Sequence, residues 1–206
     1  MESGAGGTAV ITMELQRGVC GDLAPWPGLP EAVSAAGVAE TVAELLVTAR
    51  STGVLVVHAV FSIRPDGRGT RLDMPLMSAA RRDPDFLRQG TPSVELLPAL
   101  GPETGDVVIE RHHGVSPFGG TGLDALLRQQ GVSTVVVTGV SLNIGVLGTV
   151  VEAVNLGYRA VVPTDAVVGV PSEYGHAVLA NSLMPIARLA TTAELIDQWT
   201  AAPVSP

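Results

Sequence analysis

TVVVTGVSLNIGVLGTVVEAVNLGY, residues Thr134 to Tyr158, is the stretch that decides the fold. It opens on the β-branched run Thr134-Val135-Val136-Val137-Thr138, the pattern of a fully buried strand. Gly139 breaks that run. From Ile144 onward Leu147, Val150, Val151 and Val154 recur at three- and four-residue spacing, which predicts a helix. Ser141 and Asn143 are capping residue types placed between the two elements. Gly157 closes the helix, and Tyr158 to Val162 begins another strand. The whole is a βαβ unit with a tight strand-to-helix turn. Ligands of open α/β sheets bind beyond the carboxyl ends of the strands, where helix N-termini present N–H groups. A site is therefore expected around Val140, Ser141, Asn143, Ile144 and Gly145; the other reading of this turn is a purely structural connection.

The same alternation runs outward in both directions. Thr8 to Met13 reads as a first buried strand with Glu14 at its carboxyl end. Gln16 to Pro30 is a Gly- and Pro-rich loop containing Trp26, and Glu31 to Ser51 predicts one long amphipathic helix. Strands follow at Val54 to Val60 and Asp106 to Glu110, with helices at Thr121 to Gln130, Ser172 to about Leu183 and Ala193 to Ala201. A short strand is expected near Ala187 to Thr191. Ser62 to Pro92 is polar and rich in Pro and Gly, with one short helix expected near Pro75 to Arg81. Segments of this kind are often lids or binding loops. The expected architecture is a three-layer α/β/α domain with a six-stranded, mainly parallel, Rossmann-like sheet. The 206 residues are expected to form a single domain behind a loose tail at Met1 to Gly7.

Composition narrows the function. The formal charge is −8 with no basic run, which argues against nucleic acid and anionic membrane as partners. No apolar run approaches the ~20 residues of a membrane span. Every cationic residue except histidine is Arg, so no lysine-dependent chemistry is available. Cys20 is the one cysteine, which rules out an internal disulfide and points to a reducing compartment. With no signal-peptide pattern at the N-terminus, a cytoplasmic location is expected. Neither GxGxxG after the first strand nor GxxxxGK[ST] is present, so dinucleotide and P-loop binding are disfavoured and no cofactor is expected.

Several segments together resemble one family. Phe118, Thr121 and Leu123 in VSPFGGTGLDALL, Asn143 before the turn, Gly157-Tyr158 and Asp165-Ala166 match the isochorismatase-like hydrolases over almost the whole chain. The resemblance implies a small-molecule substrate, possibly carboxylated, and a homodimer or homotetramer. Its amidase branch implies an Asp ending the first strand, a Lys after the third and a Cys at the helix start. Here Glu14 stands at the first position, within MELQ where the family usually has DxQ, so that Gln16 is an implied substrate-binding residue. Arg111 stands at the second, or His112 if the loop carries one extra residue, and Gly145 at the third. Glycine offers no nucleophile, so thioester chemistry is excluded in its usual form. Members acting on isochorismate-type vinyl ethers also carry Gly there, which implies general-acid hydrolysis with Glu14 as the acid. Glu is one methylene longer than Asp and would carry its proton about 1.5 Å further out. A non-catalytic, ligand-binding or assembly member is the alternative. Phe118, Trp26 and Phe61 are candidate walls of an apolar pocket, and Arg111 suits a substrate carboxylate. The Asp-x-His…His cluster of the zinc-bearing relatives is reduced to His58, so no metal is expected.

Overall fold

The computed structural model describes residues 5–77, 79 and 82–201. The expectations for Met1 to Gly4, Ser78, Ala80 and Arg81 lie outside these. Six strands make one sheet: β1 (Thr8–Met13), β2 (Leu55–Phe61), β3 (Val107–Arg111), β4 (Thr134–Gly139), β5 (Arg159–Pro163) and β6 (Arg188–Ala190). The spatial order is β3-β2-β1-β4-β5-β6, and every pairing is parallel. β1 and β4 are buried along their full length, as their unbroken apolar and Thr composition requires of central strands covered on both faces.

The alternation of side chains along β1 assigns the two cores. Ala9, Ile11 and Met13 face a layer built from α4 (Leu123–Gln129) and α5 (Leu147–Asn155), through Leu123, Leu127, Val150 and Ala153. Val10 faces the opposite layer of α2 (Gly28–Ala36), α3 (Val38–Thr52) and α7 (Thr192–Ala201), through Val33, Val42, Leu45, Leu195 and Trp199. The expected three layers are thus present, with the sheet wholly parallel.

Several boundaries differ from the sequence reading for physical reasons. The single helix expected over Glu31 to Ser51 is two, α2 and α3, bent by 56° at Gly37. Gly37 adopts φ 62, the left-handed conformation that ends α2, while the apolar periodicity carries on across the break. A short helix, α1 (Arg17–Cys20), lies inside the expected loop. β3 ends on Arg111, so that residue belongs to the strand and not to the loop after it. α6 (Ser172–Ala177) passes into a π-helical segment, Val178–Leu183. Among the described residues no single helix is long and apolar enough to cross a membrane.

One close approach sets the carboxyl edge of the sheet. Gly139 has φ 95, and a Cβ there would lie 2.3 Å from the Met13 carbonyl oxygen. Only glycine lets β4 close on β1 at this level. Gly157 also has positive φ (88) but open space around it. Gly139→Ala is therefore expected to lower the unfolding free energy by about 2 kcal/mol or more, and Gly157→Ala by about 1 kcal/mol. Urea denaturation of the two variants checks this; equal losses would show that the approach to Met13 is not the constraint.

Candidate active site

The site begins where β1 ends. Glu14 sits at φ 49, a left-handed conformation uncommon for a residue with a side chain. Its N–H donates to Ala59 at 3.0 Å and its carbonyl accepts from the N–H of Gln16 at 2.7 Å, which holds the turn. The carboxylate is thereby aimed over the edge of the sheet. Two strands away, Arg111 closes β3 opposite Phe61 of β2. Two strand spacings span roughly 10 Å, a distance an Arg side chain covers. The guanidinium crosses the Phe61 ring at 5.0 Å, donates from Nη1 to the Gly114 carbonyl at 2.8 Å, and pairs through Nη2 with the Glu14 carboxylate. Arg111 is buried, and its Nε has no hydrogen-bond partner. Burial lowers its pKa to about 10, which leaves it charged at neutral pH.

The third component comes from the βα turn. Leu142–Val146 forms a π-helical turn that leads into α5. Gly145 is buried in it, with the Val140 carbonyl oxygen 3.2 Å and Met13 Cε 3.5 Å from where a Cβ would stand. The Ser141 hydroxyl donates to Asn143 Oδ1 at 2.6 Å, and the Val140–Ser141 peptide is cis.

These pieces surround a cleft of about 780 Å³. Glu14, Arg111, Ser141, Ile144 and Gly145 line it, together with Trp26 and Phe61. The remaining residues singled out from the sequence do other work. Gln16 is fully buried; its amide accepts from the Phe61 N–H at 2.8 Å and donates to the carbonyls of Phe61 and Val94, both at 3.0 Å. His112 turns its Nδ1 to the Ser62 carbonyl at 3.0 Å. Phe118 stacks on Tyr158 at 5.8 Å in the core, and Val140 is completely buried. Asn143 is held by Ser141. Arg111, and not His112, is thus the cation that reaches Glu14. His58 is a satisfied buried residue: Nδ1 meets Thr12 Oγ1 at 2.9 Å and Nε2 meets Asp106 at 3.2 Å. Among the described residues no three His, Cys, Asp or Glu side chains come together as metal ligands.

Sequence reasoning did not single out Val19, Leu29, Met77, Phe86, Leu87 and Val115 as walls. The irregular stretch Ser62 to Pro92 was the available signal. It returns over the cleft and supplies three of them, Met77, Phe86 and Leu87.

Comparison with known proteins gives the family. The family model described as the isochorismatase domain matches residues 8–194. The chain belongs to the isochorismatase family. Maleamate amidohydrolase of Pseudomonas putida is 32% identical over 165 residues, covering 77% of this chain and 71% of that protein. The uncharacterized isochorismatase family protein YwoC of Bacillus subtilis is 38% identical over 105 residues, so the match spans about half of either chain (50% and 54%). Among solved structures, a cysteine hydrolase from Pseudomonas syringae pv. phaseolicola superposes with a TM-score of 0.83 at 26% identity, covering 96% of this chain and 94% of that one. An isochorismatase family protein from Burkholderia thailandensis gives a TM-score of 0.77 at 29% identity, covering 95% and 96%.

Within the family site this chain has no thiol on the cleft. Cys20 is buried in α1, its Sγ 3.7 Å from the carbonyls of Glu14 and Gln16, and burial pushes its pKa up to about 12. A thiol whose thiolate is that costly is a poor nucleophile. Iodoacetamide at pH 8 is expected to leave Cys20 of the native protein unmodified and to alkylate it readily once urea unfolds the chain. Mass spectrometry reads this directly, and equal labelling of the two states would refute it.

Proposed function

We propose that this protein is a small-molecule hydrolase that works without a cysteine nucleophile, with Glu14 as its proton-transfer group. The observation that carries this is the Glu14–Arg111 pair on the floor of the cleft beside Gly145. With glycine at the helix start, water itself must attack the substrate. The similarity to maleamate amidohydrolase supports a substrate with a cleavable C–N or C–O bond at a carboxyl-type carbon.

A guanidinium in direct contact favours the charged form of a carboxyl. We read this contact as placing Glu14 to act first as a base, whereas the general-acid mechanism expected from the sequence needs its proton in place at the start. One cycle accommodates both roles. The Glu14 carboxylate takes a proton from water as the new C–O bond forms. It then returns that proton to the leaving group as the C–N or C–O bond breaks, and the carboxylate is regenerated. Arg111 stabilises the carboxylate at the beginning and end of the cycle. Hydrolysis of a vinyl ether would instead require Arg111 to turn to substrate oxygens, which releases Glu14 to hold a proton for carbon.

The pH dependence separates these directions. Base-first chemistry is lost as pH falls through the Glu14 titration; acid-first chemistry is lost as pH rises through it. Glu14→Gln keeps the size and removes the transferable proton, so turnover should fall by about 10²–10⁴-fold while ligand binding persists. The measurement is a screen of carboxamides, esters and carboxylated enol ethers, followed by kinetics on the substrate found. A Glu14→Gln variant as fast as the parent would overturn the proposal.

A second reading is a ligand-binding member without catalysis, favoured by the change at all three amidase positions and by the mutual satisfaction of Glu14 and Arg111. Ligands that bind the parent with no turnover of any class would support it. We also propose a homodimer or homotetramer, supported by the exposed apolar residues Val170, Tyr174, Met184 and Ile186 around α6 and the segment after it.

A further inference from the structure

We infer that the cleft is built for a substrate with an apolar, ring-sized body and a single uncharged polar head, and that it discriminates against carboxylates. This names the substrate class of the proposed hydrolase and rests on that reading of the site.

The first observation is the character of the walls. Above the floor they are Trp26, Phe61, Met77, Phe86, Leu87 and Ile144. Phe61, Met77, Phe86 and Leu87 also belong to a small apolar cluster of their own, separate from the two main cores. The excursion after β2 therefore brings its own hydrophobic packing to the roof of the cleft. Trp26 meets Phe86 edge to face at 6.0 Å while 43% of its surface stays exposed. A ring face is thus left for an aromatic or aliphatic body to cover. About 780 Å³ of empty space, part of it open to solvent, lies between these walls and the floor.

The second observation is the charge of the floor. Among the described residues Glu14 and Arg111 are the charged ones lining the cleft, and they are paired. Arg111 is committed through Nη1 to the Gly114 carbonyl and through Nη2 to Glu14. A carboxylate entering here would have to displace Glu14 from Arg111 or lie beside it as a like charge. With no lysine in the chain and, among the described residues, no other cation lining the cleft, neither arrangement is compensated. A neutral amide meets the floor without adding a charge to it, and its N–H donates to the Glu14 carboxylate. The carboxylated substrate that the resemblance implies is the one this floor resists.

Calorimetry on the full chain with matched probes tests both parts. The probes are 1-naphthaleneacetamide, its carboxylate isostere 1-naphthaleneacetate, phenylacetamide and acetamide. The naphthyl amide is expected to bind at least about tenfold tighter than acetamide, because a ring is removed from water. It is also expected to bind at least about tenfold tighter than naphthaleneacetate, because the acid meets an uncompensated charge. Phe86→Ala and Trp26→Ala should each erode the ring advantage; Trp26 is half-exposed, so its removal spares the fold, which circular dichroism verifies. Glu14→Gln should reverse the head-group preference by freeing Arg111 for the acid. Tighter binding of naphthaleneacetate than of the amide by the parent would overturn the inference, as would equal binding of acetamide and the ring-bearing amides. If the probes bind in the expected order and no substrate is turned over, the inference stands and the proposed hydrolysis falls.

Discussion

The contact between Gly139 and Met13 governs the carboxyl edge of this sheet. The Val140 N–H donates to the Met13 carbonyl at 2.9 Å, and the Gly139 N–H donates to the Ala166 carbonyl at 2.8 Å. These two bonds tie the ends of β1 and β4 to the loop after β5. The chain leaves Met13 as Glu14 and leaves Val140 as the turn that carries Ser141 and Gly145. Both halves of the site therefore take their positions from one approach that admits no Cβ. Backbone geometry sets where the chemistry sits before any side chain is considered.

The ion pair on that edge is costly to maintain. Placing Arg111 in a site where 4% of it is exposed removes most of its hydration, and its Nε is left without a partner. The desolvation penalty of such a pair often cancels its Coulombic gain, and apolar residues of similar volume would serve stability as well. The Phe61 ring and the Gly114 carbonyl recover part of that cost. A pair kept under these terms on the floor of a cleft is better explained by a demand of the site than by stability alone.

How much of this was legible in the sequence depends on the range of the interaction. The βαβ unit could be read because burial on both faces forces a β-branched run and helix packing forces a three-to-four spacing, and both are local. The break at Gly37 escaped because the apolar pattern runs through it; a glycine at a helix end is decided by backbone conformation, not by periodicity. Gln16 is implied at the substrate by the resemblance to DxQ, and the structure shows its amide bracing Phe61 and Val94, contacts that residue types alone do not reveal. Arg111 and His112 could not be separated until β3 was seen to end on Arg111, which fixes the alternation. The Glu14–Arg111 contact joins two residues far apart in the chain, and residue types at two strand ends do not say whether the side chains touch.

The site has two parts with separate structural supports. Its floor hangs on the hydrogen bonds of β1, β3 and β4, and carries Glu14 and Arg111. Its roof hangs on the excursion after β2, which returns to the sheet through Ile63 N–H to Leu87 at 2.7 Å and Gln89 N–H to Ile63 at 2.9 Å. Gln16 links the two: it leaves the floor strand just after Glu14 and grips both the end of β2 and the Val94 carbonyl beyond the excursion. A chain built in this way can change its roof, and with it the shape of the cleft, without disturbing the Glu14–Arg111 pair below. The reverse does not hold. Arg111 lies across Phe61, which is also a wall of the cleft, so any change of the floor cation alters the ring that meets the substrate. Divergence in the walls of the cleft is thus structurally easier here than divergence in the charged pair on its floor.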